Sequence, residues 1–168
     1  SADARVTGPV TSPATASGRS TVYAPRGAAS TSHPLATGVA IGILEAGGNA
    51  IDAAVAAAAA LTVVEPHMTG MGGDMFALLW DANDRRLVGI DATGKSGSKI
   101  DVQQLIAEGA GSVPEDGARS VTVPGALSGW DALLEKYGTT AIDQALQPAI
   151  RLANEGFPVS PIIARAWA

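Results

Sequence analysis

An α+β fold is expected from three features of the chain: a helical run with no polar face, a glycine cluster beyond its end, and two strand-like runs after that. The helical run, Ala53 to Val64, is almost wholly apolar and stops at Pro66, as expected of a helix enclosed by protein. Glycines at 70, 72 and 73 follow, and such a cluster at a helix-to-strand junction marks a constrained turn, because glycine tolerates positive φ and close approach. Met75 to Asp81 and Leu87 to Asp91 then read as strands. The polar connection Ala82-Asn83-Asp84-Arg85 has turn chemistry, which predicts an antiparallel hairpin.

Taken in order, residues 1–22 are rich in Ser, Thr, Gly, Pro and Ala without apolar periodicity, and are expected to form an extended arm ahead of a body spanning 23–168. The small and β-capable residues from Gly27 to Ser32 suggest a short strand. Pro34 suits the first turn of a helix running to about Ala46, which Gly47 and Gly48 end. Asn49 supplies a side-chain cap for the next helix, and Asp52 in its first turn favours the helix dipole. Beyond the hairpin, Ala92 to Ser98 is a loop with Lys95 as its central charge. Ile100 to Glu108 reads as a short helix, Gly109 to Gly117 as a Gly/Ser/Pro connection and Arg119 to Val123 as a short strand. Pro124 opens a helix through about Tyr137, Gly138 closes it, and Thr140 with Asp143 starts another. Pro148 is expected to kink or split that last helix before Gly156.

Composition excludes several function classes. Lys and Arg number 11 against 16 Asp and Glu, a net charge of −5 that offers no field attractive to nucleic acid or an anionic membrane. Aromatic residues are only 4% of the chain against 46% hydrophobic, so the interior must be built from small aliphatic side chains and close backbone approach. Elements this low in bulk are weak alone, which suggests a partner chain or further polypeptide. With no cysteine there are no disulfides or thiolate sites. The start at Ser1 without a signal-like apolar core reads as a processed or trimmed end, and the most apolar run falls short of the ~20 residues of a membrane span.

Counting tests the usual catalytic constellations. The two histidines, His33 and His67, make no metal-binding spacing, and no metal or cofactor is expected. His67 follows a helix end whose free carbonyls an imidazole could bond, a structural role. Asp81, Asn83 and Asp84 lack the glycine and distal glutamate of a calcium loop. No Gly-x-Ser-x-Gly occurs. The glycines run from helix to strand, the reverse of a nucleotide loop, which leaves either a tight turn or a backbone cradle for an anion. Lys95 stands at the exit of a core strand, where a lone lysine is either solvated or a ligand anchor.

Five runs carry a resemblance: Ser32-His33-Pro34-Leu35-Ala36-Thr37, Ala46-Gly47-Gly48-Asn49-Ala50-Ile51-Asp52-Ala53-Ala54, the stretch from Val63 to Gly73, Val121-Thr122-Val123-Pro124-Gly125-Ala126, and the stretch from Pro148 to Val159. In order and spacing they resemble the γ-glutamyltranspeptidase family. The resemblance implies an N-terminal-nucleophile hydrolase with an αββα sandwich, of which this chain supplies the first helices and a strand hairpin as the N-terminal part of the large subunit. It also implies an inactive precursor that cuts itself into large and small subunits. The nucleophile is then the threonine that begins the small subunit, its own α-amino group acting as base. No residue here matches that threonine. Thr69 belongs to the glycine turn.

The loop after the second strand reads Asp91-Ala92-Thr93-Gly94-Lys95-Ser96-Gly97, where γ-glutamyl enzymes of the family carry Asp-x-Arg-Glu-x-Ala-Pro. It is more similar to the Gly-Ser-Gly-Arg-Ala-Pro version of the acylase and amidohydrolase-like branch, with Lys95 in place of the arginine. Asp74, where transpeptidases commonly carry glycine, leans the same way. A lysine neutralises a carboxylate without making the two-bond fork of arginine. The resemblance therefore implies an amide hydrolase that takes a small carboxylate-bearing amide, with Lys95 and Thr93 as substrate-binding residues beside the turn of Gly70, Gly72, Gly73 and Asp74. The implied partner is the small subunit of the same precursor, with no nucleic acid and no membrane. The alternatives are a glutathione-cleaving γ-glutamyltransferase and a non-catalytic structural or binding fragment.

Overall fold

The computed structural model describes residues 21–109, 111–113 and 117–167. The elements run α1 (Pro34–Glu45), α2 (Ala50–Val64), β1 (Met75–Asp81), β2 (Arg86–Ala92), α3 (Val102–Ala107), α4 (Ala126–Tyr137), α5 (Ile142–Ala145), α6 (Gln147–Glu155) and α7 (Pro161–Trp167). The expected N-terminal arm lies outside the described residues, apart from exposed residues 21 and 22.

Helix α2 is the centre of the fold. On one side its Ala53 and Ala57 meet Ala40 of α1, with Ile43 and Leu44 packed around them. Methyl side chains at that contact let the two helices approach closely, which is how a chain this poor in aromatics fills its interior. On the other side Val55 and Ala59 meet Trp130, Leu133 and Leu134 of α4, Ala145 of α5 and Ala149 of α6. The start of α2 is bolted to the end of α4 by polar bonds. Asn49 Oδ1 accepts from the Ile51 and Asp52 N–H groups at 2.8 and 3.0 Å, and Asp52 accepts from Asn49 N–H at 2.8 Å, completing a capping box. Asn49 Nδ2 donates to the Tyr137 carbonyl at 2.7 Å. The buried Asp52 carboxylate also accepts from Thr139 N–H (2.8 Å), Thr139 O–H (2.6 Å) and Thr140 N–H (3.1 Å).

The two strands pair antiparallel from Met75 opposite Ala92 to Asp81 opposite Arg86. The turn is fixed by Asp81, whose side chain accepts from the Asn83 and Asp84 N–H groups, and by Arg85 at a φ of 52°. Alternation sends Met75, Ala77, Leu79 and Ile90 against the α2 and α4 core. It also leaves Phe76, Leu78, Trp80 and Leu87 exposed at 62 to 77% on the outer face. Neither strand has a second neighbour among the described residues.

Helix α4 reaches the hairpin through a glycine. A Cβ at Gly129 would lie 2.3 Å from Met75 Cε and 2.6 Å from Ala92 Cβ. Gly129→Val is expected to lift α4 from β1 and β2 and lower stability by about 1–3 kcal/mol, measured as a fall in the urea unfolding midpoint.

Three expectations are corrected. Residues 27–32 form no strand, and among the described residues no strand pairs with them; Thr31 turns inward to donate its hydroxyl to the His33 carbonyl at 2.7 Å. Residues 119–123 are turn and irregular chain rather than a strand, with a single ladder-like bond from Val123 N–H to the Lys95 carbonyl at 2.8 Å. Thr140 does not cap the next helix, because its N–H is drawn to Asp52; Ala141 takes the N-cap position without a side-chain bond. Pro148 does split the helical run, standing in the first turn of α6. Helix α7 was not anticipated, although Ser160 before Pro161 is a helix-start signal and Ser160 Oγ accepts from Ile163 N–H at 3.3 Å.

Candidate functional site

Beyond Val64 the chain turns back on the end of α2. Glu65 N–H donates to the Leu61 carbonyl at 2.8 Å, and Met68 and Thr69 N–H groups donate to the Glu65 carbonyl at 2.9 and 3.3 Å. The Leu61 and Glu65 carbonyls are thus taken by backbone N–H groups. His67 is exposed, and its ring makes no hydrogen bond among the described residues, so the capping role expected of it is not taken. The buried imidazole is His33 instead. Its Nδ1 accepts from Leu35 N–H at 3.2 Å to cap α1, and its ring meets Phe157 edge-on at 6.5 Å.

Gly70, Gly72 and Gly73 all keep φ outside the left-handed region, and a Cβ on Gly72 would meet nothing within 4 Å. Gly73 N–H donates to the Gly70 carbonyl at 3.1 Å, so that donor is used within the turn. The demand for glycine lies one layer away. A Cβ on Gly94 would fall 1.5 Å from the Val123 carbonyl oxygen, and one on Gly125 would fall 2.1 Å from the Ala92 carbonyl oxygen.

Those close approaches mark a junction of three loops: the turn after α2, the loop leaving β2 and the segment entering α4. The Gly73 carbonyl accepts from Gly125 and Ala126 N–H groups at 3.1 and 3.0 Å. Asp74 Oδ1 accepts from Gly94 N–H at 3.2 Å and Thr122 O–H at 2.8 Å. Thr122 and Gly125 did not stand out as site residues in the sequence, although Thr-Val-Pro-Gly just ahead of a helix is a turn signal that could have pointed to them.

Beside the junction runs an open groove of about 450 Å³, whose rim includes Asp91, Thr93, Lys95 and Ser128. Lys95 and Thr93 thus lie on one groove, next to the turn that holds Asp74. Both side chains are exposed. Thr93 is folded back on Asp91, whose Oδ1 accepts its N–H at 2.9 Å and its hydroxyl. The Thr93 hydroxyl bond, and then its N–H, hold the Asp91 carboxyl below the usual carboxylate range. The groove accordingly carries an ionised carboxylate, a lysine ammonium, and a threonine oxygen left with free acceptor capacity.

A second, mainly apolar cavity of about 520 Å³ lies between α3 and residues 119–122, and it is lined by Ile100, Leu105, Ile106, Val113 and Val121. Among the described residues no three His, Cys, Asp or Glu side chains are grouped to hold a metal ion. No described helix is long and apolar enough to cross a membrane.

The sequence matches the family profile described as Gamma-glutamyltranspeptidase over residues 36–168. It is 43% identical over 129 residues to the Glutathione hydrolase-like YwrD proenzyme of Bacillus subtilis (strain 168), covering 76% of this chain and 24% of that protein. It is 42% identical over 147 residues to the Acylase ACY 1 proenzyme of Pseudomonas sp. (strain V22), covering 82% of this chain and 26% of that one. The chain therefore spans about a quarter of the length of these curated relatives. Among solved structures, the Helicobacter pylori gamma-glutamyltranspeptidase superposes with a TM-score of 0.79 at 39% identity, covering 87% of this chain and 42% of that one.

Proposed function

This chain belongs to the gamma-glutamyltranspeptidase family, and from that membership we propose that it is the N-terminal part of the large subunit of an amide hydrolase acting on a small carboxylate-bearing amide. The small subunit of the same precursor brings the attacking threonine. The threonine oxygen adds to the amide carbonyl, its proton passes by way of the α-amino group to the departing amine, and an ester joins acyl group and enzyme. Water then adds to the ester, releasing the acid and restoring the hydroxyl. Relatives named as proenzymes support the two-subunit arrangement. So does the bare apolar face of Phe76, Leu78, Trp80 and Leu87, which suits further polypeptide stacked on the hairpin.

The observation that carries the substrate class is Lys95 at the exit of β2, on the rim of a groove beside an irregular backbone junction. In this reading Lys95 neutralises the substrate carboxylate and Thr93 stands beside it as an acceptor for a substrate N–H. The described body from residue 23 onward serves as wall and anchor. Lys95→Ala in the assembled enzyme is expected to raise KM for carboxylate-bearing amides about tenfold or more, as fits the loss of a charge-assisted bond of ~1.5–3 kcal/mol. An unchanged KM for every such amide refutes the anchoring role.

A second reading is a γ-glutamyltransferase that cleaves glutathione with a different anchor, favoured by the likeness to the Helicobacter pylori transpeptidase. γ-Glutamyl-p-nitroanilide offered with glycylglycine separates the two. Faster release with the acceptor present supports transfer, and release unaffected by it supports hydrolysis.

A further inference from the structure

The described residues between 96 and 121 leave the body of the protein and return to it at one place. Inside that excursion lie α3, capped by Asp101, and the ion pair of Arg119 with Glu108. Its two stems, Gly94-Lys95 and Thr122-Val123, are pressed together. Val123 N–H donates to the Lys95 carbonyl at 2.8 Å, and the Val123 carbonyl oxygen occupies the space a Gly94 Cβ would need. A single atom bonds both stems to the body: Asp74 Oδ1 accepts Gly94 N–H from one and Thr122 O–H from the other. Asp74 itself immediately precedes Met75, the first residue of β1 and part of the packed interior.

We propose that Asp74, with Thr122, is a positioning residue for Lys95: its carboxylate latches the neck of the excursion and so fixes the backbone from which the lysine reaches the substrate. The inference rests on the reading of Lys95 given above. A charged acceptor makes stronger bonds to the Gly94 N–H and Thr122 O–H than a neutral one. Because Lys95 is the residue next to Gly94, loss of the latch displaces the start of its side chain rather than its charge. Asp74 touches no substrate in this scheme, and its effect passes entirely through the lysine.

The test uses the full-length enzyme with three variants, Asp74→Ala, Thr122→Val and Asp74→Asn. Amide hydrogen exchange of peptides covering 93–96 and 121–123 reads the latch directly. Asp74→Ala and Thr122→Val are expected to speed that exchange about tenfold or more. They should also raise KM for the carboxylate-bearing amide, by up to the roughly tenfold or greater rise of Lys95→Ala and no further, with kcat changed by less than about threefold. Asp74→Asn keeps an accepting oxygen without the charge and is expected to fall between wild type and Asp74→Ala in both effects. In a Lys95→Ala background, Asp74→Ala should add no further rise in KM.

Unchanged exchange in both Asp74→Ala and Thr122→Val overturns the latch whatever Lys95 does. A fall in kcat at constant KM, or a full additional KM rise in the Lys95→Ala background, overturns positioning through the lysine. Failure of the underlying reading looks different: Lys95→Ala alone leaves KM unchanged while Asp74→Ala still speeds exchange, and that result removes the substrate role of both residues.

Discussion

Replacing Asp52 by alanine is expected to destabilise the protein by about 2–4 kcal/mol at pH 7, because three N–H groups and a hydroxyl lose their acceptor at a part-buried helix junction and each stranded donor costs about 1–3 kcal/mol without simple additivity. The donors come from both ends of the joint, Asn49 at the start of α2 and Thr139 and Thr140 beyond α4, so the loss should loosen α2 against α4 rather than fray one helix. Urea unfolding monitored by Trp130 fluorescence measures it, since Trp130 packs in the cluster that these helices share. The pH dependence has a definite sign. Burial pushes the Asp52 carboxyl up, and the bonds from Thr139, Asn49 and Thr140 together outweigh it, so its folded value lies below the ordinary 3.8. A carboxyl depressed on folding stabilises the native state above its unfolded value and loses that contribution as pH falls through the folded value. The gap between wild type and Asp52→Asn should therefore be full at pH 5 to 7 and close only below the ordinary carboxylate range. A gap that widens on acidification contradicts the charged network.

Gly94→Ala is the second large effect, expected at about 3 kcal/mol or more, the upper end of what overpacking costs. The added Cβ would sit 1.5 Å from the Val123 carbonyl oxygen, and the neighbour is backbone, which cannot rotate away. The stems of the excursion must part, breaking Val123 N–H from the Lys95 carbonyl. Limited proteolysis within 96–121 should accelerate along with the drop in the urea midpoint. Gly72→Ala is the contrast, because nothing lies within 4 Å of its Cβ position, and a change within about ±0.5 kcal/mol is expected there. If the two alanines behave alike, the crowding at the neck is not the reason for Gly94.

That contrast shows where sequence reasoning reached and where it stopped. Helix ends were legible because their signals are local: Pro34 within the first turn of α1, Asn49 with Asp52 at α2, Gly138 closing α4 and Pro148 splitting α5 from α6. The hairpin was legible from its alternation and polar turn. The strands expected at 27–32 and 119–123 failed because a β-capable composition does not supply a partner, and in both places side-chain bonds took the backbone elsewhere. The glycine cluster at 70–73 drew attention by density alone, whereas Gly94, Gly125 and Gly129, where an added Cβ would fall within 2.3 Å of another atom, are scattered along the sequence. Their need arises from segments about 30 to 55 residues away, which no local window contains. The latch has the same character. Asp74, Gly94 and Thr122 are far apart along the chain and meet where the open end of the hairpin lies against the segment entering α4.

The most direct test of the proposed chemistry is a crystal structure of the assembled enzyme trapped as its acyl intermediate with a carboxylate-bearing amide. The expected result is an ester on the threonine that begins the partner chain, with the acyl carboxylate about 2.8 Å from Lys95 Nζ over the groove at the exit of β2. An acyl group attached or oriented elsewhere, with the Lys95 ammonium left in solvent, contradicts it.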